Sequence, residues 1–125
     1  MATPSETRGV VEAYFNAWTN KKTEEAYALL AKDLHFTGPS AEYKTAEEFR
    51  PGLNGFAALT ESARVLSLLV EGDQAAMLYE CKMPEPGGTF RIASFFRVAN
   101  GKIAEYDTRF DPTGFQKLVA QTKKS

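Results

Sequence analysis

The hydrophobic period of this chain changes once, near residue 60, and that change dictates its fold class. Before it, apolar residues recur at spacings of three and four. Val10, Val11, Tyr14, Phe15 and Trp18 make one stripe, and Ala26, Tyr27, Leu29 and Leu30 a second. That spacing puts each stripe on one face of a helix. After it, residues 63–70, 75–83, 89–98 and 102–110 read as strands, separated by Gly72-Asp73, Pro84 to Gly88 and Ala99-Asn100-Gly101. Helices first and hairpins second predict an α+β fold with an antiparallel sheet. At 125 residues the chain is the size of one domain, 1–125, with enough length for a core of its own.

Local signals place the element ends. Ser5 is a candidate N-cap for the first helix, Thr19 to Lys22 a polar break, and Thr23 the cap of a second helix with Glu24 and Glu25 in its first turn. A strand from Leu34 to Thr37 ends at Gly38-Pro39. Thr45 and Glu48 have capping-box spacing, so a third helix starts at Ala46, with Pro51 expected to kink or split it. Asp111-Pro112 opens a last helix carrying Phe115, Leu118 and Val119.

The turns fix which side chains share a face, because residues alternate along a strand. A two-residue Gly72-Asp73 turn pairs Leu68 with Met77 and Leu66 with Tyr79. A three-residue Ala99-Asn100-Gly101 loop pairs Val98 with Lys102, hence Phe96 with Ala104 and Ser94 with Tyr106. One face then carries Leu66, Leu68, Met77, Tyr79, Cys81, Phe90, Ile92, Ser94, Phe96, Tyr106, Thr108 and Phe110. The other mixes Glu80, Lys82, Arg91, Arg97, Glu105, Asp107 and Arg109 with Leu69, Leu78 and Phe95. The helical stripes must cover the first face. The large apolar groups left on the second predict a homodimer.

Composition removes several functions. Fifteen Lys and Arg balance sixteen Asp and Glu, for a net charge of -1, which argues against nucleic-acid binding. No apolar run approaches membrane-spanning length, the start lacks a signal-peptide pattern, and the single Cys makes no internal disulfide, so a cytoplasmic protein is expected. Phosphate-loop, zinc-ligand and Ser–His–Asp spacings are missing, so neither metal nor cofactor is expected.

A greasy face dotted with a few hydroxyls is the make-up of a ligand site. The candidate ligand-binding residues are Tyr14, Trp18, Phe36, Met77, Tyr79, Ile92, Ser94, Phe96, Tyr106, Thr108 and Phe110. Tyr14 could donate to a ligand carbonyl or simply find a backbone partner. Ser94, among Phe and Ile, needs a partner in Tyr14, Tyr106, water or ligand. His35 is the sole histidine but alternates with inward Phe36, so it faces outwards. Cys81 reads as a small core hydrophobe. Asp107 and Arg109 read as outer-face charge partners across strands. Tyr14, His35 and Asp107 are the candidate catalytic groups.

Three segments carry a family resemblance: "EAYFNAW…EEAYALLAKDLHFTGP" from Glu12 to Pro39, "VEGDQAAMLYE" from Val70 to Glu80, and "SFFRVANGKIAEY" from Ser94 to Tyr106. Together they resemble the nuclear transport factor 2-like superfamily, in its SnoaL-like and ketosteroid-isomerase-like branch. The resemblance implies a cone-shaped, curved sheet wrapped around the N-terminal helices and enclosing an apolar cavity, commonly in a dimer. It aligns the isomerases' oxyanion tyrosine with Tyr14, their base with Gly38 and their second donor with Ser94. Gly38 supplies no base. The acid of SnoaL-type cyclases falls nearest Thr108, and a bulge would swap the faces and bring Asp107 inward instead. A small hydrophobic ligand is therefore expected, with an isomerase, cyclase or hydrolase acting on a carbonyl substrate as one alternative. A protein-binding module is the other.

Overall fold

A computed structural model describes residues 2–124. In chain order the elements are α1 (Pro4–Thr19), α2 (Thr23–Ala28), β1 (Leu30–Thr37), β2 (Glu42–Tyr43), α3 (Ala46–Leu59), β3 (Ser62–Glu71), β4 (Gln74–Met83), β5 (Gly88–Ala99), β6 (Lys102–Arg109) and α4 (Thr113–Lys124). The strands make one curved, open sheet in the order β2-β1-β6-β5-β4-β3, with α1 to α3 preceding its hairpins in the chain.

The helices start where side chains supply the missing hydrogen bonds. Thr3, not Ser5, caps α1: its hydroxyl accepts from the Glu6 amide at 3.1 Å, and Pro4 occupies the first turn. Thr7 is fully buried and donates to the Gly72 carbonyl at 2.8 Å, fixing the start of α1 against the β3–β4 turn. Lys22 rather than Thr23 precedes α2, and no side chain caps it. α2 stops at Ala28, so Leu30 of the expected helical stripe instead opens β1. Thr45 accepts from the Glu48 amide at 3.1 Å, while the Glu48 carboxylate reaches the Lys44 amide at 2.9 Å. α3 then runs unbroken through Pro51, which forgoes only its own amide bond, so the expected split does not occur. Lys21, in the left-handed region at φ 66°, donates its ammonium to the carbonyls of Ala57 and Thr60. A cation there complements the C-terminal end of α3.

The sheet departs from the sequence reading in two respects. β1 is longer than expected and lies parallel to β6, so one pair breaks the antiparallel pattern. The register of the last hairpin also differs. Asn100 and Gly101 both have positive φ, 54° and 75°, the two-residue turn that Asn-Gly favours, and Ala99 rather than Val98 pairs with Lys102. That one-residue slip alone would turn every β6 side chain over. Ala104 reverses it: Val98 pairs with Ile103 and Arg97 with Glu105, leaving Ala104 as an extra residue. From there Phe96 faces Tyr106 and Ser94 faces Thr108. Turn and bulge cancel, so the expected faces survive although every partner beyond the bulge has moved by two. On β3 a second shift places Val65, not Leu66, opposite Tyr79, while Leu68–Met77 and Cys81–Phe90 pair as expected.

The core lies between the helices and the inner face of the sheet. Val11, Tyr14, Phe15 and Trp18 of α1 pack on Met77, Tyr79, Ile92, Phe96 and Tyr106. Ring edges meet ring faces here, Tyr14 on Tyr106 at 5.5 Å and Phe15 on Tyr79 at 5.1 Å between centroids. Among the described residues, no helix is long and apolar enough to cross a membrane.

Candidate functional site

Where β1, the segment after it, α3 and the start of α4 meet the inner face of the sheet, their side chains leave a pocket of about 160 Å³. Aromatic rings dominate its wall: Trp18 from α1, Phe36 and Tyr43 from β1 and β2, Phe49 and Phe56 from α3, and Phe110 and Phe115 around α4. These rings support one another. Phe36 lies 4.4 Å from Phe49 and Phe56 5.2 Å from Phe115, centroid to centroid.

Six side-chain hydroxyls line the pocket: Ser40 and Tyr43 from the segment after β1 and from β2, and Tyr14, Tyr79, Tyr106 and Thr108 from α1 and the sheet. Ser94 is fully buried beneath the last four, its Oγ 2.8 Å from Thr108 Oγ1. This is the group's tight bond. The phenols gather more loosely around Tyr106, whose ionisation feels the hydroxyls of Tyr14, Tyr79, Ser94 and Thr108. Burial pushes the Tyr14 and Tyr79 phenols well above their ordinary value of 10.0, and it raises Tyr106 too, although the hydroxyls around it pull the other way. All three are neutral donors at physiological pH. The pocket lining contains no Asp, Glu, His, Lys, Arg or Cys.

Of the residues singled out from sequence, Tyr14, Trp18, Phe36, Tyr79, Tyr106, Thr108 and Phe110 stand together around this pocket. Met77, Ile92, Ser94 and Phe96 are buried in the core behind it and do not line it. Gly38 lines it at the position aligned with the isomerase base, and a Cβ there would come within 3.0 Å of the Phe36 ring. The sequence reading did not assign Tyr43, Phe49, Gly52, Leu53, Phe56, Phe115 or the segment from Gly38 to Ala41 to the site. They arrive from α3, from α4, from a loop and from a short strand, whose placement against the sheet no local pattern announces.

The two other catalytic candidates lie elsewhere. His35 is exposed, with Nε2 3.1 Å from the Glu42 carboxylate. Asp107 lies opposite Phe95 on the outer face and pairs with Arg109, its neighbour two along the same strand rather than across strands, at 2.8 Å. The bulge at Ala104 does not bring Asp107 inward, because the tighter turn has already used the slip. Cys81 is buried beside Thr60, 3.5 Å from its hydroxyl, and burial raises its thiol. Among the described residues, no cluster of three or more His, Cys, Asp or Glu could hold a metal ion.

Comparison with known proteins agrees with this architecture. A protein from Kribbella flavida superposes with a TM-score of 0.84 at 22% identity, covering 99% of this chain and 98% of its own. A nuclear transport factor 2-like protein from Cytophaga hutchinsonii does so with a TM-score of 0.76 at 20% identity, over 90% and 94%. An epoxide hydrolase from M. tuberculosis gives 0.76 at 19% identity, over 98% of both chains. At such identities the likeness is one of fold. No curated protein matches the chain by sequence. The model of the SnoaL-like domain matches residues 11–106, most of the chain, and on that match the chain belongs to the SnoaL-like family.

Proposed function

We propose that this chain binds a small hydrophobic molecule in the aromatic pocket, with the carbonyl or hydroxyl oxygen of the ligand turned towards Tyr14, Tyr79, Tyr106 and Thr108. The observation that carries this reading is the composition of the wall: seven aromatic side chains besides the tyrosines at its base, six hydroxyls of which four converge at that base, and no ionised group. An apolar concavity with a few convergent polar groups is what a ligand site requires. Trp18, the sole tryptophan, lines the pocket and reports on it. Titration with small ketones, lactones and aromatic alcohols is expected to change its fluorescence saturably. A flat response to all of them, with native mass spectrometry showing only free protein, would refute the proposal.

A second reading is catalysis on a carbonyl substrate, as an isomerase, cyclase or hydrolase. The convergent donors favour it, since hydrogen bonds to a carbonyl stabilise charge developing on its oxygen. Proton abstraction or water activation also needs a base, and the wall supplies none. Binding is therefore the reading preferred here. We also propose that the outer face of the sheet is covered by a second copy of the chain, because Leu69 and Phe95 stand 68% and 52% exposed there. If sedimentation shows a monomer at micromolar concentration, the dimer is excluded.

A further inference from the structure

We infer that the pocket is specific for an uncharged molecule of about one ring, inserted with its oxygen end first. This rests on the ligand-binding reading above and narrows it in size, charge and direction.

Size follows from volume. The pocket measures about 160 Å³. An apolar cavity of roughly 150 Å³ accommodates one benzene, whereas sites for drug-sized ligands start near 300 Å³. A four-ring skeleton would have to force the wall apart, and its inner side is held by the packed rings of Phe36, Phe49 and Trp18.

Direction follows from the gradient of exposure along the wall. Pro39, Ser40 and Gly52 are exposed and form the rim, while Tyr14 and Tyr79 are 1% and 2% exposed and form the floor with Thr108. Gln116 of α4 donates to Ser40 Oγ at 2.9 Å, closing one side of that rim next to Phe115. The rim hydroxyl of Ser40 already accepts from Gln116, and the three phenols that converge with Thr108 lie at the inner end. A ligand satisfies them only by leading with its acceptor.

Charge follows from the lining. No Lys, Arg or His faces the pocket to meet an anionic ligand, and burial raises even Tyr106, which has four hydroxyls around it. An ionised phenol or carboxylate brought to the same floor meets the same penalty. A cation fares no better at the floor, where no counter-charge waits. An aromatic box can hold a quaternary ammonium, but five of its non-tyrosine rings are Phe, a weaker cation-binding face than Trp.

The test is a set of four probes on the full chain. Trp18 fluorescence follows acetophenone, a four-ring steroid ketone and tetramethylammonium; absorbance follows 4-nitrophenol, a single-ring phenol that ionises near neutral pH. The inference expects acetophenone to bind at least tenfold more tightly than the steroid or the ammonium ion. It expects excess protein to move the ionisation midpoint of 4-nitrophenol upwards. A steroid or an ammonium ion bound as tightly as acetophenone overturns the inference and leaves ligand binding standing, as does a midpoint moved downwards. Failure of all four to bind overturns the ligand-binding reading itself.

Discussion

Ser94 and Thr108 offer the sharpest test of whether the interior hydroxyls stabilise the fold as a group or merely occupy it. Ser94 is 0% and Thr108 6% exposed, and their hydroxyls lie 2.8 Å apart. Removing one partner strands the other, at a cost of about 1–3 kcal/mol for a buried hydroxyl without a bond. The neighbouring phenols can recover part of that, so Ser94→Ala and Thr108→Val are each expected near the lower end, about 1–1.5 kcal/mol. Replacing both strands neither member of the pair. The double variant should cost about as much as either single one, a coupling of about 1 kcal/mol. For a domain of this length 1 kcal/mol corresponds to roughly 3–5 °C in Tm. Urea denaturation followed by Trp18 fluorescence measures all four corners of the cycle. Strict additivity, with the double variant losing the sum of the two, would refute the reasoning.

Three further outcomes follow. Above pH 10.0, the ordinary value for tyrosine, the unfolded chain releases phenolic protons that folded Tyr14, Tyr79 and Tyr106 retain. Stability is therefore intact below that pH and lost as pH rises through the elevated folded values; denaturation midpoints at pH 8 and pH 11 measure it, and equal midpoints would contradict it. Gly101→Ala places a Cβ at φ 75° in the β5–β6 turn and is expected to cost about 1 kcal/mol by thermal melting, whereas Gly9→Ala on the exposed side of α1 is expected to stabilise by about 0.5–1 kcal/mol. Phe95→Glu with Leu69→Lys is expected to lower the sedimentation coefficient to that of a monomer without shifting acetophenone binding; an unchanged coefficient would place any self-association on another surface.

The fold was legible because its main signals are local. Thr45 and Glu48 announced α3, Gly72-Asp73 announced the first hairpin, and period-2 alternation marked four strands to within one or two residues. The faces were legible for a less secure reason. The turn at Asn100-Gly101 is one residue tighter than expected and the bulge at Ala104 compensates, so parity came out right while the partners did not. Nothing in the residues near Ala104 signals that bulge; on its other side too the pairing is irregular, and β1 runs four residues, 31–34, past it. β1 was short in the sequence reading because Leu30 continues the helical spacing of α2. The site was half legible. Residues on regular strands and on α1 fell where their periods put them, but Tyr43, Phe115 and the segment from Gly38 to Ala41 depend on how β2, α4 and a loop close over the sheet, a property of packing rather than spacing.

Binding depends on a neutral, hydroxyl-floored pocket that receives a ligand acceptor. A crystal of the protein grown with 4-bromoacetophenone tests this directly, since anomalous scattering locates the bromine. The expected result is bromine at the rim, between Ser40 and Phe115, with the ketone oxygen within hydrogen-bond reach of Tyr14 or Tyr106. Bromine at the floor, or seated against Phe95 on the outer face with the pocket unchanged, would contradict it.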